Sequence, residues 1–220
     1  MHILLIAATS FEIQPVTNFL QQQEQPLPGH TVSIQVTGIG SMATTYHLTK
    51  SIRDKRPDYV LQAGIGGSFS QHFPPGRVVL IEKEMTGDLG VEENGVFKDL
   101  FDMGLLQDGE HASISKWLVN PHTVNWESQG LALVNGVTVN EITTRASRIE
   151  QLQQNYAVTV ESMEGAAFHF VCLQEAIPFL QIRSISNYVG ERDKKAWKMK
   201  EAITALNDQL INILKKGISR

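Results

Sequence analysis

Seven short apolar runs, most of them rich in branched side chains, recur along the chain with room for a helix between several of them. They are HILLIAA (2–8), VSIQVTG (32–38), YVLQAG (59–64), RVVLIEKEM (77–85), GLALVNGVT (130–138), AVTVESM (157–163) and FLQIRSIS (179–186). Several are apolar almost throughout, the pattern of strands covered by helices on both faces of a sheet. Helical periodicity falls at 41–54, 143–155, 164–175 and 195–215, and Pro178 bars the third from running on. The last of these puts Trp197, Ile203, Leu206, Leu210 and Leu214 on one side, a stripe for core packing. Its closing pair, Lys215 and Lys216, suits the negative helix end. The expected fold is α/β, with a central mixed β-sheet flanked by helices in one domain spanning 1–220. Residues 86–128, with GDLGVEENG and the pair Trp117 and Trp126, read as turns and short helices around one sheet edge.

Bulk properties remove several classes of function. Apolar residues make up 42% and charged residues 19%, so a packed core is expected and a disordered tail is not. A net charge of -4 argues against a basic nucleic-acid-binding face. Cys172 is the only cysteine, which excludes an intrachain disulfide, and its setting FHFVCL predicts a buried structural thiol. The N-terminal run ILLIAA is short for a signal peptide and has no basic segment before it. No run approaches the roughly 20 apolar residues of a membrane span, so a cytoplasmic protein is expected. The seven histidines form no H-x-x-x-H or other compact ligand pattern, and no metal is expected. Phosphate-loop and G-x-S-x-G signatures are absent, and the dinucleotide fingerprint is incomplete.

Chemistry gathers at the strand exits. VTGIGSM (36–42) and LQAGIGGSF (61–69) are glycine-rich, which allows tight turns or close approach to a ligand. Glu12 follows the first strand, Glu161 and Glu164 stand where a later strand hands over to a helix, and Asn187 ends the last strand. Each glutamate has two readings: a first-turn carboxylate complementing a helix N-terminus, or a group that grips a ligand. In an open α/β sheet the ligand lies at such strand ends. Two carboxylates without a metal would supply general-base catalysis and hydrogen bonds to hydroxyls.

Five segments in order, IAATSFEI, VTGIGSM, AGIGGS, VESMEGAAFHFVC and IPFLQIRSISN, resemble the nucleoside phosphorylase/nucleosidase superfamily over most of the chain. Within it the pattern is nearest to the futalosine hydrolases, relatives of the methylthioadenosine/S-adenosylhomocysteine nucleosidases; GVTVNE and GDLGVEENGVFKDLFDMGLL fit as well. The resemblance implies that Glu12 activates the attacking water and that Glu164 holds the ribose hydroxyls with Met163 beside the sugar. Ile65, Gly66 and Gly67 match the loop backing base and sugar. Arg183 matches an arginine that supports the site, and Val139 stands roughly where adenine nucleosidases place an aromatic residue. It further implies a purine nucleoside as substrate, no cofactor, no nucleic-acid or membrane partner, and a homodimer, with a tetramer left open.

One departure is informative. Methylthioadenosine-type nucleosidases read R-A-I-S-D where this chain reads R-S-I-S-N, so their aspartate is Asn187 here. An amide has no titratable proton at neutral pH but can donate to N7 or O6 of a 6-oxopurine. This shifts the expectation from an adenine to a hypoxanthine nucleoside such as futalosine. ATSFEI lacks the glycine and arginine of phosphate-binding relatives and offers Glu12, which would repel a phosphate dianion; hydrolysis is expected. The rival readings are a methylthioadenosine nucleosidase and a 6-oxopurine nucleoside phosphorylase.

Overall fold

The computed structural model describes residues 1–22, 27, 29–109, 115–122 and 130–217. The strands are β1 (His2–Ala7), β2 (Thr31–Val36), β3 (Tyr59–Ser68), β4 (Val78–Thr86), β5 (Gly90–Glu93), β6 (Val96–Asp99), β7 (Leu118–Val119), β8 (Ala132–Thr138), β9 (Val160–Ser162) and β10 (Phe179–Tyr188). The helices are α1 (Ser10–Gln21), α2 (Ser41–Asp54), α3 (Ala146–Tyr156), α4 (Gly165–Gln174) and α5 (Met199–Lys216). All but two strands form one mixed sheet in the order β10-β4-β8-β9-β3-β1-β2, with β7 on β4. A further pairing of β10 with β3 closes five of these strands into a ring, and β1 and β2 extend from it. The expected mixed sheet flanked by helices is what forms.

Apolar side chains alternate between two cores. Ile3, Leu5, Leu61 and Ile182 pack with Ile13 and Val16 of α1 and Leu206, Leu210 and Leu214 of α5. Leu4, Ile6, Val60 and Phe179 face the other way, against Leu48 and Ile52 of α2 and Phe168, Val171 and Cys172 of α4. This two-sided burial is why the strands carry few polar positions. Cys172 is fully buried, as expected of a packing thiol.

The structure amends four readings. Residues 10–21 form a helix that periodicity did not reveal, because Pro15 sits in its sixth position and forfeits the bond to the Phe11 carbonyl. Residues 90–99 form a hairpin rather than a helix; Asn94 and Gly95, both at positive φ (52° and 79°), make its two-residue turn. No helix lies among the described residues of 86–128, and Trp126 lies outside them. Finally, α5 begins at Met199, so Trp197 leaves the core stripe. Asp193 opens a turn by accepting the Lys195 N–H, and the Lys198 N–H is tied to the Ser186 carbonyl at 2.8 Å.

Strand β3 creates an opening in the sheet. Along one edge it pairs with β10 from Val60 to Ser68. Along the other it pairs with β1 from Tyr59 to Gln62, then with β9 only at Gly67 and Ser68. Residues 63–66 therefore have no strand on that side, and their backbone groups need other partners.

Candidate active site

Glu12 fills this gap. Its Oε1 accepts the Ile65 N–H at 3.0 Å, and its Oε2 accepts the Thr9 N–H at 3.0 Å and the Thr9 hydroxyl at 2.9 Å. The bonds to Thr9 are the reach-back expected of an acid in the first turn of α1. The bond to Ile65 fixes the same carboxylate against β3. Glu12 thus complements a helix start, one of the two readings left open from sequence, and it also lines a cleft of about 430 Å³.

Glu164 resolves differently. It stands just before α4, yet its side chain makes no bond to that helix. The Ala166 N–H is taken by the Thr138 hydroxyl at 2.7 Å. The Glu164 carboxylate instead accepts the Gly40 N–H at 3.1 Å and pairs with Arg183 at 3.4 Å. Arg183 is 1% exposed and also bonds Gln62 Oε1 at 3.2 Å and the Ile65 carbonyl at 3.5 Å. It holds Glu164 from behind and does not line the cleft.

Glycine lets these groups converge. A Cβ on Gly64 would lie 2.3 Å from Arg183 Nη1 and 3.1 Å from Glu12 Oε1. With Glu164 Oε2 only 3.4 Å from that guanidinium nitrogen, the two carboxylates are close enough to flank one sugar. A Cβ on Gly66 would strike Val160 at 2.8 Å and the Glu161 carbonyl at 2.9 Å. Ile65, Gly66, Gly67 and Met163 all line the cleft with Glu12, Glu164 and Asn187.

Asn187 is aimed by a bulge. The register of β10 against β3 slips between Ile185 and Asn187, leaving Ser186 unpaired and Asn187 opposite Gly67. Its Nδ2 donates to the Tyr188 carbonyl at 2.9 Å and its Oδ1 accepts from the Ser186 hydroxyl at 2.7 Å. A carbonyl can only accept, so the first contact fixes which end of the amide is nitrogen. One N–H and one lone pair of Asn187 remain for a ligand.

Val139 is not brought to this cleft. Its side chain is 2% exposed among Met85, Val137, Leu152 and Val158. Several residues not named as site residues from sequence are also brought there: Thr9, Ile39, Ile142, Glu191, Arg192 and Trp197. Glu161 also lines the cleft, with Oε1 accepting the Thr143 N–H at 3.2 Å; burial pushes its carboxyl up. Behind the cleft, Glu84 accepts from Gln181 Nε2 at 2.8 Å and from the Thr138 hydroxyl at 3.1 Å. Burial pushes Glu84 up to about 7 and pulls the nearby His169 down to about 4. Among the described residues no group of three or more His, Cys, Asp or Glu could hold a metal, and no helix is long and apolar enough to cross a membrane.

The family model for the phosphorylase superfamily matches residues 7–219, almost the whole chain. The chain belongs to the phosphorylase superfamily. A futalosine hydrolase of Streptomyces coelicolor is 29% identical, over 94% of this chain and 93% of that one. A 5′-methylthioadenosine/S-adenosylhomocysteine nucleosidase of Tolumonas auensis is 28% identical, over 82% and 79%. The fold matches the adenine complex of the Colwellia psychrerythraea nucleosidase with a TM-score of 0.81 at 20% identity, covering 100% and 98% of the two chains. This phosphorylase-superfamily chain therefore resembles relatives of both kinds.

Proposed function

We propose that this protein hydrolyses the N-glycosidic bond of futalosine, releasing hypoxanthine and dehypoxanthine futalosine, in menaquinone biosynthesis. The observation that carries this reading is the amide of Asn187, set in one cleft with the carboxylates of Glu12 and Glu164. As the bond from C1′ to the purine stretches, negative charge builds on the base and positive charge on the sugar. The free Asn187 N–H donates to N7 or O6 of the departing base. The Glu12 carboxylate takes a proton from water as that water approaches C1′, and the departing purine anion takes its proton from solvent. Glu164, fixed in place by Arg183 and the Gly40 N–H, holds the ribose hydroxyls and favours the cationic sugar. Such placed contacts contribute roughly 2 to 4 kcal/mol each in the transition state. Glu12 would repel phosphate at the position where water attacks, which favours hydrolysis over phosphorolysis.

The second reading, an adenine nucleosidase acting on methylthioadenosine or S-adenosylhomocysteine, is favoured by the similarity to the Tolumonas auensis enzyme. One assay separates them. The protein is incubated with futalosine, inosine and methylthioadenosine in phosphate-free buffer, and the released base is identified. Hypoxanthine from futalosine is expected; adenine from methylthioadenosine at a higher kcat/KM would overturn the choice. The same reading includes a homodimer, consistent with exposed apolar side chains at Phe11, Ile39, Met42 and Tyr46.

A further inference from the structure

Residues 139–145 form a wall between two cavities. Ile142 lines the cleft together with Asn187 and Glu161, and it also lines a polar pocket of about 220 Å³ beside Asp88 and Arg145. The wall is held from both sides. On the cleft side the Val139 N–H bonds the Ser162 carbonyl at 3.0 Å, and the Thr143 N–H bonds Glu161 Oε1 at 3.2 Å. On the pocket side Asp88 Oδ2 accepts the Asn140 N–H and, at 3.1 Å, the Glu141 N–H, while its Oδ1 accepts Asn140 Nδ2 at 3.2 Å. Asp88 lines the pocket and not the cleft, so the two backbone N–H groups point away from the cleft. Asp88 is anchored in turn: the Gly87 N–H bonds the Thr138 carbonyl at 2.7 Å, and Arg148 donates to the Gly87 carbonyl. Glu92 of β5 pairs with Arg145 and closes the far end of the wall.

Strand register sets this wall opposite Asn187. Asn187 pairs with Gly67 and Gly67 with Glu161, so the three stand in one row across β10, β3 and β9. Side chains in such a row project to one face, and the outer two strands lie about 9 to 10 Å apart. Gly67 contributes no side chain, and a Cβ there would lie 3.5 Å from Asn187 Nδ2. The row therefore has an open floor between the amide and Glu161. A purine bonded to Asn187 through N7 or O6 lies over Gly67, and its N1 side turns toward Glu161 and the wall bonded to it.

We propose that Asp88 is a positioning residue for base preference: by holding the Asn140 and Glu141 N–H groups on the pocket side, it withholds backbone donors from N1 of the bound purine. Adenine N1 is an acceptor and is left unmet, whereas hypoxanthine carries a hydrogen at N1 and asks for no donor there. The place of the base rests on the proposed function; the test itself needs no turnover. The dissociation constants of adenine and of 1-deazaadenine, in which C–H replaces N1, are measured by calorimetric titration in the wild type, Asp88→Asn and Asp88→Ala. The wild type should bind the two equally. In Asp88→Ala the released N–H groups are free to turn to the base, and adenine should gain about 3- to 10-fold over 1-deazaadenine. Asp88→Asn keeps one acceptor oxygen and should gain less. A merely structural role would shift both ligands together and leave their ratio unchanged. The wild-type comparison needs no variant, so it stands whether or not Asp88→Ala folds. A wild type that prefers adenine by that factor, or an unchanged ratio in Asp88→Ala, would overturn the proposal. Should methylthioadenosine prove the better substrate, the futalosine reading fails on its own, and the same constants still decide the role of Asp88.

Discussion

Glu164 and Glu84 are both buried acids near the start of α4, and they differ in what surrounds them. Glu164 faces a guanidinium and a backbone N–H, while Glu84 faces an amide and a hydroxyl. Burial penalises the charged form of Glu84, which has no cationic partner in contact to offset it, whereas Glu164 is paired with Arg183. Glu84 is pushed up to about 7, so near neutrality it carries a proton for much of the time. Two carboxyls on one helix-to-sheet junction are thereby divided. One is paired with Arg183 at the cleft, and the other serves as a nearly neutral bracket between Gln181 and Thr138. The Thr138 hydroxyl in turn caps α4 at Ala166, which frees the Glu164 side chain to face the cleft. At the start of α4, capping the helix and lining the cleft fall to different residues.

The largest effects should come from the cleft side. Glu12→Gln is expected to lower kcat for futalosine by about 10²- to 10⁴-fold, because the attacking water loses its proton acceptor. The glutamine must also turn its NH₂ toward either Ile65 or Thr9, so thermal unfolding is measured beside the rate. A rate near wild type would remove Glu12 from the chemistry. Glu164→Gln should lower kcat/KM by about 10²-fold. Were Glu164 only a helix-end carboxylate, the change would cost about 0.3 to 1 kcal/mol of stability and leave turnover intact. Removing the guanidinium tests the other half of the pair. Arg183→Met leaves Glu164 buried without a counter-charge and should cost about 3 to 5 kcal/mol in urea unfolding.

How much of this could be read from sequence depended on whether a residue's job is local. Seven of the ten strands, α2, α4 and the buried Cys172 follow from apolar periodicity, which burial on two faces imposes directly; β5, β6 and β7 do not. Helix α1 did not, since Pro15 masks a helix that packing against α5 stabilises. The convergence of Glu12, Glu164 and Asn187 was anticipated through family motifs, and geometry alone decided that Glu164 does not cap its helix. Glu84 was visible as one of two acids in RVVLIEKEM, but its role depends on Thr138 and Gln181, far along the chain. Trp197 misled because its spacing fits the α5 stripe; the tie from Lys198 to Ser186 starts the helix two residues later.

Asn187→Asp gives a smaller and more selective effect. In the native arrangement Nδ2 donates to the Tyr188 carbonyl, so an aspartate would set an acceptor against an acceptor at 2.9 Å. An ionised side chain there would also face O6 of hypoxanthine. Futalosine turnover should fall about 10-fold or more and recover as pH is lowered, because only the protonated acid restores a donor. Relative activity on adenine nucleosides should rise. An unchanged base preference, measured as the ratio of kcat/KM for futalosine and an adenosine analogue, would take away the reason for choosing hypoxanthine.

Glu84→Gln should produce the smallest effect, and it appears in stability rather than rate. A carboxyl raised from an ordinary 4.5 to about 7 binds its proton more tightly in the folded state. Its contribution is complete below pH 4.5 and is lost as pH rises through 7. His169, lowered from 6.5 to about 4, works in the opposite sense, with stability lost as pH falls below 6.5. The two slopes oppose each other between pH 4.5 and 6.5, so the wild type should vary little there, weaken between pH 6.5 and about 7, and level off above. Glutamine keeps an amide between Gln181 and Thr138 but has nothing to ionise. Relative to the wild type, Glu84→Gln should therefore gain about 1 to 3 kcal/mol between pH 5 and pH 8. Urea unfolding at both pH values measures this, and a difference that stays flat would mean that Glu84 is an ordinary ionised carboxylate, erasing its contrast with Glu164.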